Sequence, residues 1–256
     1  QEFDRVIQED SRKAFLRALL ELARSDPHFQ VRTSTGKLAL RLEVLLWGGD
    51  EMTLVVPAWK GLEVMRLFYH HAQALQFRGQ PLTQRAVVIF CHHNAPILLV
   101  NQLAGALLDR TKTDLHAPIW QGSSPGLDHA RGDALHYLVL ESFDMIQGEL
   151  DDFLASYYQG IDYANLLVHA AELETLLAAV RTIAGSVSHG KALKIIDAIQ
   201  RQPGQIEEVT QTILSLAPPA ERSRLQSAIL TLTSHSTDRW YLATDLWDYI
   251  PEQAEP

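Results

Sequence analysis

The sequence predicts an α/β (or α+β) N-terminal domain with a central mixed β-sheet, followed by an all-α C-terminal domain. Three observations lead there. Between Lys37 and Trp47 the residues Leu38, Leu40, Leu42, Val44 and Leu46 share one parity, and Gly48-Gly49-Asp50-Glu51 turns the chain into a second apolar run, Met52 to Trp59. Period 2 fixes a strand, and strand–turn–strand fixes a hairpin. Ala86 to Cys91 reads Ala-Val-Val-Ile-Phe-Cys without alternation, the pattern of a strand covered on both faces of a sheet. After Gly126 apolar residues recur every three or four positions, which is helical spacing.

Each element follows in order. Val6/Ile7, Phe15, Leu16, Leu19, Leu20 and Ala23 give one face to a helix over Phe3 to Arg24, stopped by Asp26-Pro27. Phe29 to Thr33 is a short first strand, the hairpin follows, and Gly61 closes it. Leu62, Met65, Leu67/Phe68, Ala72 and Leu75 form the next helix. The buried strand, a helix over Ile97 to Leu108 and a last strand near Leu115 to Trp120 complete the domain, residues 1–122. Gln121 to Gly126 is the most turn-rich stretch and marks the boundary.

The second domain, residues 123–256, opens on a helix from Leu127 to about Tyr158, with Leu135, Leu138, Ser142, Ile146, Leu150, Phe153 and Tyr157 as its stripe. Tyr163 to Val187 is the next helix. Shorter ones span Lys191 to Gln200, Gln205 to Leu216 and Ala220 to Leu232, separated by Pro203-Gly204 and Pro218-Pro219. A final helix around Asp238 to Ile250 precedes a frayed tail.

Composition sets limits on function. Hydrophobic residues make up 46% and charged residues 21% of the 256, ordinary for a globular protein. No apolar run is long enough to cross a bilayer, so no membrane partner is expected. The single cysteine, Cys91, excludes an intrachain disulfide and points to a reducing, cytoplasmic compartment. The chain opens on Gln1, as a processed or trimmed chain does. The net charge of -9 is unevenly spread: residues 1–122 carry 14 Lys+Arg against 12 Asp+Glu, and residues 123–256 carry 8 against 19. Nucleic-acid binders concentrate Lys and Arg on one face. Any nucleic-acid contact therefore falls to the N-terminal half.

The order helix, three-stranded meander, crossover helix, buried strand resembles the core of the restriction-endonuclease-like (PD-(D/E)xK) fold over roughly residues 1–120. The resemblance implies an acid on the second strand and Glu-x-Lys at the end of the third, holding Mg²⁺ for phosphodiester attack. The third strand here ends Leu54-Val55-Val56-Pro57-Ala58-Trp59-Lys60 and supplies no acid at either register. Only Glu43 and Lys60 match such a site, and a Mg²⁺ cradle needs more carboxylate than that. The resemblance thus implies a nuclease-like fold that has lost its catalysis.

Four further clusters bear on function. Cys91-His92-His93 sits at the carboxyl end of the buried strand, where open α/β sheets place ligands. A metal or thiolate reading competes there with a buried cysteine and a helix cap ahead of Pro96. His129, Asp133 and His136 stand at i, i+4 and i+7 on the expected helix, so all three share a face that could hold a divalent metal. In the same stretch Arg131-x4-His136 resembles the Arg-x4–6-His motif of HEPN-type ribonucleases, which implies that Arg131 and His136 act on an RNA 2′-hydroxyl and phosphate. The plain alternative is a charged first turn favoured by the helix dipole. Glu149, Asp151 and Asp152 read as a solvated helix face. Trp240, Tyr241, Trp247 and Tyr249 form either a docked core helix or a partner surface.

Walker, Gly-x-Gly-x-x-Gly and Gly-x-Ser-x-Gly patterns are missing from the sequence, and no cofactor is implied. The expectation is a non-enzymatic interaction or regulatory protein, a subunit or adaptor holding a protein partner. The alternatives are a metal-dependent or HEPN-like nuclease and a small-molecule enzyme using the Cys91-His92-His93 edge.

Overall fold

The computed structural model describes Val6 and residues 12–48, 51–115, 132–140 and 150–250. Helix α1 (Ala14–Ser25) buries Phe15, Leu19 and Ala23, the i, i+4, i+8 stripe of an amphipathic helix. A 3₁₀ turn, Pro27–Phe29, follows, with Asp26 accepting from the His28 N–H at 2.8 Å. Strands β1 (Gln30–Arg32) and β2 (Leu38–Leu40) pair antiparallel. Their turn needs a left-handed residue, and Gly36 at φ +78° supplies it.

Strands β3 (Glu43–Gly48) and β4 (Glu51–Val55) form a second antiparallel pair. Helix α2 (Gly61–Ala72) packs against α1, and a small hairpin, β5 (Gln76–Phe77) with β6 (Gln80–Pro81), follows. The core here joins Phe15, Leu19, Ala23, Phe29 and Val64, with Leu40, Leu42, Met52, Leu54 and Phe68 against it. Phe15 and Phe68 meet edge to face at 5.5 Å.

Strand β7 (Arg85–Cys91) then runs parallel to β8 (Ala134–Leu140) over seven residue pairs, from Arg85↔Ala134 to Cys91↔Leu140. Helix α3 (Ile97–Asp114) packs on both strands, completing a βαβ unit. On the other side of β8 lies β9 (Val168–His169), antiparallel, so β8 is the centre of the sheet β7-β8-β9.

The remainder is helical: α4 (Leu150–Tyr157), α5 (Leu173–Ser186), α6 (His189–Arg201), α7 (Ile206–Leu216), α8 (Pro219–Leu232) and α9 (Trp240–Asp245). Helix α8 packs on α5, and α6 packs on both α7 and α9. After α4 the chain turns at Gly160, φ +81°, where a Cβ would stand 3.2 Å from the Gln200 Cα. Both the turn and the closeness of α6 require glycine there.

A mixed α/β chain with a helical second half is therefore observed, but several expectations are corrected. Two compact units divide at Gln84/Arg85, as Gln1–Gln84 and Arg85–Pro256, whereas the sequence reading placed the boundary at 122/123. The cause is β8. It lies inside the expected helix Leu127 to Tyr158 and ladders with β7, so the second domain is not all-α. All seven β8 residues are buried, and a strand apolar on both faces shows no period 2 to reveal it.

No sheet among the described residues joins the hairpins to β7, so the expected central mixed sheet is replaced by pairs of strands and one three-stranded sheet. The central, fully covered strand is β8 rather than Ala86 to Cys91. The long alternating strand from Lys37 divides into β2 and β3, and a bulge between Val44 and Leu46 shifts the register. Tyr163 to Val187 is likewise not one helix: a 3₁₀ turn (Tyr163–Leu166) capped by Asp162, then β9, precede α5. The final helix divides into Thr237–Arg239, α9 and Trp247–Tyr249. The stretch Gln121 to Gly126 and the strand expected over 116–120 lie outside the described residues.

Candidate functional site: a closed polar cluster on the central strand

His136 is the one residue shared by both of the sequence's helical site readings, and it projects from β8 with no exposed surface. The Thr111 hydroxyl donates to the Leu107 carbonyl at 2.8 Å, within α3. Its one proton being used, the oxygen accepts from His136 Nδ1–H at 3.2 Å. That assigns the lone pair to Nε2, which has no hydrogen-bond partner and faces Asp114 Oδ2 at 3.7 Å. Burial, aided by the Arg110 charge, drives the imidazole pKa down to about 3, so the ring is neutral. Burial also lifts the Asp114 carboxyl above its ordinary range, reinforced by Asp162 and Asp151 and opposed by Arg110.

Arg110 Nε reaches both Asp114 oxygens, at 2.8 and 3.0 Å, and its Nη1 reaches Asp151 at 2.9 Å. The His136 ring stacks on Tyr163 at 4.8 Å. Tyr163 OH donates to the Tyr137 carbonyl, while the Tyr137 and Tyr158 hydroxyls each donate to Asp245 Oδ2 at 3.0 Å. Burial and then Asp245 push these two phenols well above their ordinary range, so they stay protonated and can donate to the carboxylate. Thr111, His136 and Asp114 have the residue types of a nucleophile–base–acid set. The hydroxyl proton, however, is committed to a backbone carbonyl, and the histidine has no exposed surface. The cluster holds α3, β8 and α9 together.

A second buried network was not legible in the sequence. Arg239, with no exposed surface, donates to Glu172 at 2.8 and 3.0 Å, to the Leu167 carbonyl at 2.9 Å and to the Asn165 carbonyl at 3.2 Å. Glu172 also accepts from the His169 N–H at 3.0 Å. Burial raises its pKa, but His235 and Arg239 outweigh burial and hold it at about 2. The available signal is an arginine set directly before Trp240-Tyr241-Leu242, a charge at the head of an apolar run.

The remaining candidates are dispersed. His129 and Arg131 lie outside the described residues. Asp133 precedes β8 and His136 lies within it, so these two are three positions apart on extended chain and take opposite faces; the shared helical face for a metal does not exist. Among the described residues no group of three His, Cys, Asp or Glu is arranged to hold a metal ion.

Glu43 is exposed on β3 opposite Val55, while buried Lys60 pairs with Asp26 and, at 2.8 Å, with Glu63. Burial opposes the Lys60 charge, but the two acids prevail and raise its pKa. Cys91 is half-buried, and burial raises its thiol pKa, the reverse of an activated thiolate. His92 is bound to Asn94 at 2.6 Å and lies against His93. Pro96, at the N-cap of α3, receives no side-chain cap. Trp240 and Tyr241 are buried core residues, so they do not form a partner surface. Trp247 stacks on His189 and Tyr249 on Phe90. Among the described residues no helix is long and apolar enough to cross a membrane.

Comparison with protein families, with curated proteins and with solved structures finds no match to this chain.

Proposed function

We propose that the protein is a non-enzymatic interaction or regulatory protein, a subunit or adaptor that works by holding a protein partner. One observation carries the reading. On the β3–β4 hairpin Leu46 and Val55, 42% and 40% exposed, share one face, with Leu45, 43% exposed, in the bulge beside them. The bulge at Leu45 sets Leu46 beside Thr53 and Glu43 beside Val55, on the side away from Met52 and Leu54, which pack against the helices. Exposed apolar groups gathered this way mark interaction surfaces. Among the described residues Thr111, His136 and Asp114, the set with the residue types for catalysis, are buried, by contrast.

The test has two arms. Purified protein is assayed for metal content and for cleavage of DNA and RNA with Mg²⁺ or Mn²⁺; no cleavage is expected. A stoichiometric partner from the native host should be retained by the unaltered protein and lost on Leu46→Asp, at an unchanged unfolding midpoint. Metal-supported cleavage abolished by Glu43→Ala and Lys60→Ala, with stability intact, would establish the nuclease reading instead.

A further inference from the structure

Among the described residues strand β7 has a partner on one side only. Its other edge closes the sheet order β7-β8-β9, with no strand beside it among the described residues. Edge strands in stable proteins are usually short, charged, bulged or interrupted by proline. This one is seven residues long, pairs without irregularity, and reads Ala-Val-Val-Ile-Phe-Cys after a single Arg85. Its residues from Ala86 to Ile89 are only half-buried, whereas every residue of neighbouring β8 is buried. Such an edge is a template for strand addition.

We propose that β7 of a second copy of this chain covers it, antiparallel and about a two-fold axis through Val88. The strand is complementary to itself in that register. Val88 meets Val88, Val87 meets Ile89, Ala86 meets Phe90 and Arg85 meets Cys91. The smallest side chain lies opposite the largest, and β-branched residues face each other, the pairing that favours antiparallel sheets. The one charge has no like charge opposite, and the two Arg85 side chains stand roughly 20 Å apart. A two-fold axis makes the contact isologous and closed, which limits assembly to a dimer. The two three-stranded sheets become one six-stranded sheet. Ile97, Leu98 and Leu99, exposed at 47%, 77% and 48% on the first turn of α3, add apolar surface just beyond the strand's end. The strand belongs to the compact unit Arg85–Pro256 and the β3–β4 hairpin to Gln1–Gln84, so each is altered by its own substitutions.

The experiment measures mass and register together. Sedimentation of the full chain over about 1 to 100 µM, a range that reports a micromolar Kd, should show a dimer. In a Cys91→Ser background, Val88→Cys should cross-link with its own copy under mild oxidation, because only the residue on the axis lies opposite itself. Thr83→Cys, off the axis, should not. Val88→Lys places two ammonium groups face to face and should weaken the dimer at least tenfold. If that variant fails to fold, the cross-link decides. A chain that stays monomeric at 100 µM overturns the proposal, whether the edge is then covered by another protein or by the chain itself. So does a dimer that Val88→Cys cannot cross-link.

Discussion

At the scale of the residue, the least ordinary feature is a histidine that folding prevents from taking a proton. His136 ordinarily titrates near 6.5 and in the folded chain near 3. Below pH 6.5 the unfolded chain gains a proton that the folded one refuses, so stability is fully present above that pH and falls as pH drops towards 3. Glu172, ordinarily near 4.5 and here about 2, adds a second loss that begins only below pH 4.5. Asp114 acts in the opposite sense: its raised proton affinity favours the folded chain as acid is added and flattens the slope. Between pH 6.5 and 4.5 the histidine alone contributes a loss of about 2 kcal/mol. Urea unfolding at pH 7, 6.5, 5.5 and 4.5 should show this loss in the unaltered protein and little of it in His136→Leu. Parallel pH profiles for the two would mean that the imidazole is not closed off.

At the scale of the element, legibility depended on how local the determining contacts were. Helices α6, α7 and α8 are bounded by Pro203-Gly204 and Pro218-Pro219, signals that act within a turn of themselves, and all three were expected nearly to the residue. Strand β8 has the spacing of a helix in the sequence because Leu135 and Leu138 also fit a three-residue step, and its partner β7 is more than forty residues distant in sequence. The bulge that sends Val44 and Leu46 to opposite faces leaves no mark on the alternation from Leu38 to Leu46. His136 stands out in the sequence, but the neighbours that helical spacing gives it are not those of the fold. Its real partners, Thr111 and Asp114, come from α3 and are brought in by the crossover rather than by helical spacing. The central place of β8 has a direct consequence. Leu138→Asp puts an unpaired carboxylate where there is no exposed surface, at a cost of roughly 3 to 5 kcal/mol. Leu98→Asp, at a position 77% exposed, should change the unfolding free energy by no more than about 0.5 kcal/mol. Equal effects at the two positions would contradict the sheet order.

At the scale of the whole molecule, the dividing line between the compact units decides which fragment can stand alone. A fragment beginning at residue 123 keeps β8, β9 and the helices but loses β7 and α3. With them go seven ladder positions, the Thr111–His136 hydrogen bond, the Arg110–Asp151 pair and the Phe90–Tyr249 ring contact at 4.3 Å. One flank of β8 would then open to water. Each fully buried large apolar side chain contributes about 1.5 to 3 kcal/mol. Exposing even part of Leu135, Tyr137, Leu138, Val139 and Leu140 therefore removes as much as the roughly 5 to 15 kcal/mol that holds a typical domain together. A fragment beginning at Arg85 retains every one of these contacts. Residues 85–256, produced alone, should unfold in a single cooperative urea transition with a structured near-ultraviolet circular dichroism spectrum. Residues 123–256 should keep helical signal in the far ultraviolet, lack the near-ultraviolet bands and bind a hydrophobic dye, as chains that have lost specific packing do. Should the shorter fragment unfold cooperatively at the longer one's midpoint, β7 and α3 would not belong to its core, and the division would lie near residue 122 after all.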